Sequence, residues 1–253
     1  MPSQNANINA SFFDGNYKEV WRKIIPSGLT EVEAEFIQQV GLLDKGGNLL
    51  DLMCGYGRHS IELAGRGINV TAVDNSKEYI DEIKQYAVRN NLAIDPYVAD
   101  ALEFRSGMVF DAVICMGNSF SFFNVTELSQ LLKRISSALR MEGVFIINSW
   151  MIAEIAFKHF QEKTWSYVDD YKYLLDNKFC FFPSRIESEH TIVAADGTIE
   201  IIKGIDYIIT LDELSVLCKE AGLKIKYLYS TPKKRPFNLG DSRIYIVIQK
   251  TQS

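Results

Sequence analysis

At 253 residues, 47% hydrophobic and 23% charged, the chain has the composition of a soluble globular protein and room for one α/β domain with an insertion. Its formal net charge of −5 argues against a nucleic-acid partner, which favours a basic surface. Charge interrupts the apolar runs, as Glu154 and Lys158 do after Trp150, so no membrane span is expected.

In chain order, the polar opening Met1–Ala10 is expected to carry no signal peptide. Phe12, Phe13, Tyr17 and Trp21 follow on a first amphipathic helix, either as ordinary packing or as a lid. Asn48–Leu52 reads as a short buried strand running into the turn Met53-Cys54-Gly55-Tyr56-Gly57 and then a helix from Arg58. A second strand, Asn69–Val73, ends on Asp74. Strand, Gly-x-Gly turn, helix and a carboxylate at the tip of the next strand make up a half-site for a nucleoside. The glycines allow close backbone approach, and the carboxylate can accept from two vicinal ribose hydroxyls. A dinucleotide fingerprint places a third glycine where Ser60 stands.

Lys77–Asn91 is a predicted helix, capped by Asn75 or Ser76, with Ile80, Ile83 and Ala87 on one face. Ala93–Ala99 is a strand ending on Asp100, and Phe110–Met116 is a buried strand. Thr126–Arg140 carries a helical apolar stripe, and Gly143 turns the chain into the strand Val144–Asn148. This alternation implies a mostly parallel, doubly wound sheet. From about Trp165 to Ile209 the pattern becomes that of an antiparallel β insertion pivoting on Asp196-Gly197. Thr210-Leu211-Asp212-Glu213 is a capping box, and strands at Lys224–Tyr229 and Arg243–Ile248 close the chain. The expected organisation is an N-terminal helical segment or lid (1–40), an α/β core (41–155 and 207–253) and an antiparallel β cap (156–206).

Asp51, Gly55 and Gly57 resemble the first motif of class I S-adenosylmethionine (SAM) methyltransferases, commonly Asp-x-Gly-x-Gly-x-Gly, with Met53 in place of the first glycine. Val98-Ala99-Asp100-Ala101-Leu102 resembles the motif whose acid accepts from the adenine amino group. Met116-Gly117-Asn118-Ser119-Phe120 resembles the motif lining the methyl-transfer pocket, and Leu139–Gly143 the turn before the fifth strand. Gly117-Asn118-Ser119-Phe120 is similar to the glycine and sarcosine N-methyltransferases. Phe12-Phe13-Asp14, Cys54 to His59 and Asp241-Ser242-Arg243 are similar to bacterial methyltransferases of unassigned substrate. Asp95-Pro96-Tyr97 mimics the signature of DNA amino methyltransferases but precedes the third-strand acid, so it is read as a decoy.

The resemblance, spanning Leu49 to Ile248, implies a Rossmann-like, doubly wound seven-stranded sheet with an antiparallel last strand. It implies SAM as cofactor and direct SN2 transfer of a methyl group to an N or O atom of a small molecule. The implied cofactor-binding residues are Asp51, Met53, Cys54, Gly55, Tyr56 and Gly57 in the first turn, then Asp74, Asn75, Asp100, Ala101 and Met116. Asn118, Tyr17 and His190 are the catalytic candidates, and Trp21, Asn118 and Arg185 the substrate-binding ones, with Trp165, Tyr167, Phe181 and Phe182 as an aromatic wall.

Duller readings stay open for several residues. Asp74 can cap the following helix, Asp100 can be a turn acid, and Cys54 and His59 can be packing residues. Lys233-Lys234-Arg235 reads as a solvated loop. The four cysteines form no Cys-x-x-Cys pair, so no metal site and no disulfide framework is expected and a reducing, cytoplasmic setting fits. A small-molecule methyl acceptor is the expected partner. The alternatives are an RNA or protein methyltransferase, an NAD(P)-dependent oxidoreductase, or a catalytically silent SAM-binding protein.

Overall fold

The computed structural model describes residues 9, 12 and 15–251; Phe13, Asp14 and the polar stretch 1–8 lie outside the described residues. The chain opens with α1 (Tyr17–Ile24) and α2 (Leu29–Gly41). An alternating series follows: β1 (Asn48–Leu52), α3 (Arg58–Gly65), β2 (Asn69–Asp74), α4 (Lys77–Asn90), β3 (Ile94–Val98), β4 (Phe110–Cys115), α5 (Val125–Ala138) and β5 (Leu139–Ser149). After α6 (Ala153–His159) come β6 (Lys163–Val168), β7 (Tyr171–Phe181), β8 (Ser184–Val193) and β9 (Ile199–Tyr207). The chain ends with α7 (Leu211–Glu220), β10 (Leu223–Tyr229) and β11 (Ile244–Lys250).

Seven strands form one sheet in the order β10-β11-β5-β4-β1-β2-β3, and β6 to β9 form a second. In the first, β11 runs antiparallel to both β5 and β10, while the pairs among β1 to β5 are parallel. Period-two alternation sorts the buried side chains of this sheet onto two faces. Leu50, Leu52, Val113, Cys115, Phe145 and Ile147 pack with α5 and α7. Leu49, Ala112, Ile114, Val144 and Ile146 pack with α2, α3 and α4. Both faces being covered explains why these strands read as continuous apolar runs.

Local signals place the boundaries. Ser76 caps α4, its Oγ accepting from the Tyr79 N–H. Asn124 and Thr210 each close a capping box, with Glu127 and Glu213. At Leu139–Gly143 the structure departs from the expected turn: β5 already pairs with β4 at Leu139, and the irregularity lies in the register between Phe110 and Ala112. Glu142 takes a positive φ of 62° there, so the extra residues form a bulge within the strand.

The expected 1–40 segment divides in two. Ala34, Phe36 and Ile37 of α2 belong to the core under the large sheet, whereas Tyr17 and Val20 of α1 pack with Tyr173 and Ile192 of the second sheet. In that second sheet β8 and β9 are joined through Asp196-Gly197, as the sequence indicates, Gly197 lying at φ 87°. Trp165, Tyr167, Phe181 and Phe182 are 65–96% exposed, on the outside of the molecule and not in a pocket wall. On β6 the opposite-parity Val168 is turned inward, while on β7 Phe181 shares the parity of buried Tyr173 but stands exposed at the strand's end. Among the described residues no helix is long and apolar enough to cross a membrane.

Candidate active site

The carboxyl ends of β1, β2, β3 and β4 converge on one cavity, as open α/β sheets generally arrange. At the end of β1, Met53 takes φ 58°, Gly55 φ 55° and Gly57 φ 79°, and the turn closes with Gly57 N–H donating to the Cys54 carbonyl at 3.0 Å. A Cβ on Gly57 would lie 2.6 Å from Ile83 of α4, so glycine is required there for packing as well as for φ. Gly57 shapes the turn without lining the cavity; Met53, Cys54, Gly55 and Tyr56 line it. Met53 holds a left-handed conformation without being glycine.

Asp74, buried at the end of β2, ties the site together. Its Oδ2 accepts from the Gly55 N–H at 2.8 Å and its Oδ1 from the Ser76 N–H at 2.9 Å. Burial pushes its carboxyl up, while the backbone N–H groups of Ser76, Gly55 and Asn75 favour the charge. Asn75 lines the same cavity, as do Asp100 and Ala101 beyond β3 and Met116 beyond β4. Asp100 also acts as a turn acid, accepting from the Leu102 N–H at 2.7 Å. The two readings of that residue are therefore compatible.

Asp51, also lining the cavity, is 2% exposed and accepts from the Ser60 hydroxyl at 2.6 Å. Burial raises its carboxyl to about 7, against the opposing pull of Ser60 and Arg58. Ser60 thus has a defined task where a dinucleotide fold would carry glycine. Burial, with Asp51 and Asp74 nearby, pushes the Cys54 thiol well up, which fits packing and not nucleophilic chemistry.

Behind the turn lies a network that the sequence alone did not disclose. Glu33 of α2 is fully buried, its Oε2 accepting from Arg58 Nη1 at 2.7 Å and His59 Nε2 at 2.9 Å. Its Oε1 accepts from the Tyr245 hydroxyl at 2.7 Å. Burial opposes ionisation of Glu33, but His59, Arg58 and Tyr245 together hold it down at about 2. Burial and the Arg58 charge push His59 the other way, toward neutrality. Arg58 already supplies the positive charge, so a neutral His59 donating its Nε2–H satisfies both groups. His59 is accordingly a structural donor.

A second cavity adjoins the first, and Trp21, Gly117 and Phe122 line both. Asn118 faces this second cavity, with φ 72°. Its Oδ1 accepts from Ser149 Oγ at 2.8 Å and the Trp150 N–H at 3.1 Å. Its Nδ2 donates to Ser121 Oγ at 2.9 Å and Asp206 Oδ1 at 3.0 Å. Tyr17 and His190 meet here as well: Tyr17 hydrogen-bonds Tyr173, and the Tyr173 hydroxyl bonds His190 Nδ1. Burial lowers His190 to about 4 and raises Tyr17, so both are neutral near pH 7.

Arg185 does not join them. On β8 the buried positions are Ile186, Ser188, His190 and Ile192, so odd-numbered Arg185 projects from the opposite face. There it pairs with Glu187 Oε1, through Nη2 at 2.6 Å and Nε at 2.9 Å. Arg185→Ala is expected to lower the unfolding free energy by no more than about 1 kcal/mol, as for other partly exposed pairs. Urea denaturation checks this, and a loss well beyond that would place the guanidinium in a more demanding role. The residue that sequence reasoning missed is Asp206, on the inward side of β9. Its even-numbered place on β9, in line with Ile202 and Gly204, was its signal.

The family model described as "Methyltransferase domain" matches residues 49–143. Glycine N-methyltransferase of Oryctolagus cuniculus is 31% identical over 159 residues, covering 54% of this chain and 52% of that protein. The chain thus spans about half the length of the curated relatives it matches first. Among solved structures, the CcbJ methyltransferase from Streptomyces caelestis superposes with a TM-score of 0.84 at 16% identity, covering 98% of this chain and 100% of that one. A SAM-dependent methyltransferase from Clostridium acetobutylicum gives 0.81 at 18% identity, covering 93% and 96%. These structural likenesses lie in the fold.

Proposed function

We propose that the chain is a class I SAM-dependent methyltransferase that transfers a methyl group from SAM to an N or O atom of a small molecule. The observation that carries this reading is the pair of adjoining cavities sharing Trp21, Gly117 and Phe122. The first offers acids at the ends of β2 and β3 and apolar Met53 and Met116, a donor set that fits a nucleoside carrying a thioether arm. The second is enclosed by the inner face of the β6–β9 sheet and by α1.

SAM, when bound, supplies an electrophilic methyl on a sulfonium that is already a good leaving group. The protein's task is then alignment and exclusion of water. Asp74 would hold the ribose hydroxyls, Asp100 the adenine amino group, and the Met53–Tyr56 turn the remainder. Trp21, lining both cavities, would screen the reacting atoms. Asn118, satisfied on both side-chain atoms, acts as a positioning residue for Asp206 and Ser121. Tyr17, Tyr173 and neutral His190 provide a hydrogen-bonding edge for the acceptor. Its four free cysteines suit a reducing, cytoplasmic setting.

Isothermal titration with S-adenosylhomocysteine, SAM and NAD tests the reading. Binding of the first two and not the third is the expected result. Tight NAD binding without S-adenosylhomocysteine binding would sink it in favour of an oxidoreductase.

A further inference from the structure

The second cavity has an uneven charge distribution. Among the described residues lining it, Asp206 supplies a carboxylate and no Lys or Arg answers it. The other ionisable groups there are Tyr17, Tyr173 and His190, all neutral near pH 7, and His159 toward the exposed side. Arg243, the nearby guanidinium, packs over the outer Trp150 ring at 5.3 Å instead.

Asp206 is also oriented. The described hydrogen bonds to its carboxylate, from Asn118 Nδ2 and Ser121 Oγ, both fall on Oδ1. Asn118 is in turn fixed by Ser149 and the Trp150 N–H. Among the described residues no hydrogen bond falls on Oδ2, the atom assigned here to a ligand, and Asp206 lines the cavity. Burial raises the carboxyl to about 6 despite Ser121 and Asn118, so it is still ionised at neutral pH. An enclosed carboxylate with no cation beside it is costly unless a ligand brings one. The walls add to this preference, since the rings of Tyr17, Trp21, Phe122 and Trp150 line the same space and aromatic faces attract cations.

Resting on the methyl-transfer reading above, we propose that the acceptor is a cationic amine without a carboxylate of its own, held through its ammonium group by Asp206 in this aromatic-walled cavity. The ammonium passes one N–H proton to the Asp206 carboxylate, which frees the nitrogen lone pair to take the methyl as the carbon–sulfur bond of SAM breaks. A second carboxylate on the acceptor would meet Asp206 with no basic side chain to receive it. Acceptors of the amino-acid type are therefore disfavoured, whatever the similarity in the cofactor half.

The probes are benzylammonium, benzyl alcohol and benzoate, of nearly equal size and differing in charge. Each is titrated into full-length protein saturated with S-adenosylhomocysteine at neutral pH. Wild type should bind benzylammonium about tenfold or more tighter than benzyl alcohol, the worth of one charge-assisted hydrogen bond, and benzoate more weakly still. Asp206→Asn keeps an oxygen for Asn118 and Ser121 and should abolish that preference while binding S-adenosylhomocysteine as before. Equal binding of alcohol and ammonium by wild type, absence of ammonium binding, or a preference that survives in the variant would overturn the proposal. Should the variant fail to fold, the three probes on wild type decide alone. Failure of S-adenosylhomocysteine itself to bind would instead sink the methyl-transfer reading.

Discussion

Asp74→Ala is expected to weaken S-adenosylhomocysteine binding by about 1.5–3 kcal/mol for each charge-assisted hydrogen bond lost to the ribose, roughly 10- to 150-fold per bond. The structure adds a second reason for a large effect. The carboxylate holds the Gly55 and Ser76 N–H groups at 2.8 and 2.9 Å, so alanine also frees the glycine turn and the entry to α4. The loss should therefore exceed that of Asp100→Ala, whose carboxylate holds a single described N–H at Leu102. Calorimetry on both variants, with circular dichroism to show that each is folded, measures the difference. An Asp74→Ala protein that is folded and binds normally would put the nucleoside elsewhere.

Glu33→Ala should give the largest loss of stability. It strips a fully buried carboxylate from Arg58, His59 and the Tyr245 hydroxyl, leaving a guanidinium with little solvent and no counter-ion. Breaking such a pair costs about 3–5 kcal/mol, or roughly 6–20 °C in Tm for a chain of this size. The pH dependence follows from the depressed carboxyl, about 2 in the fold against an ordinary 4.5. A lowered acid contributes stability that is complete above about 4.5 and is lost as pH falls toward 2. Wild type should thus lose stability across that window more steeply than Glu33→Gln, followed by thermal melts at each pH. Parallel curves for the two proteins would remove Glu33 from its assigned role.

The sequence by itself determined the parts whose physics is local. Gly55 and Gly57 mark a turn because their φ values are ones side chains resist. Asp74 and Asp100 fall at strand ends because apolar runs stop there, and Thr210 with Glu213 caps α7 within four residues. Asp196-Gly197 reverses the chain between β8 and β9. These signals were enough for a mostly parallel, doubly wound sheet; the seventh strand, the antiparallel last strand and the residues around the first cavity followed from the family resemblance.

What only the tertiary structure decided is which distant side chains meet. Strand parity was available in principle, and it separates Arg185 from His190 as soon as Ile186 is known to face inward. The charged Arg185, Glu187 and Glu189 against Ile186 and Ile192 already turn the even parity inward, but which groups meet beneath that face is fixed only by what packs over it. The Asn118–Asp206 bond joins residues 88 apart, and Glu33 with Tyr245 joins residues 212 apart. Such pairs leave no periodic trace, since each partner taken alone looks like an ordinary polar residue in an apolar setting. Ser60 shows the same limit at short range: its place in the motif was legible, but its bond to Asp51 required β1 and α3 to be packed together. The turn at the first cavity is built from backbone conformation, which sequence encodes locally; the second cavity is built from side chains brought together by two sheets, which only the fold assembles.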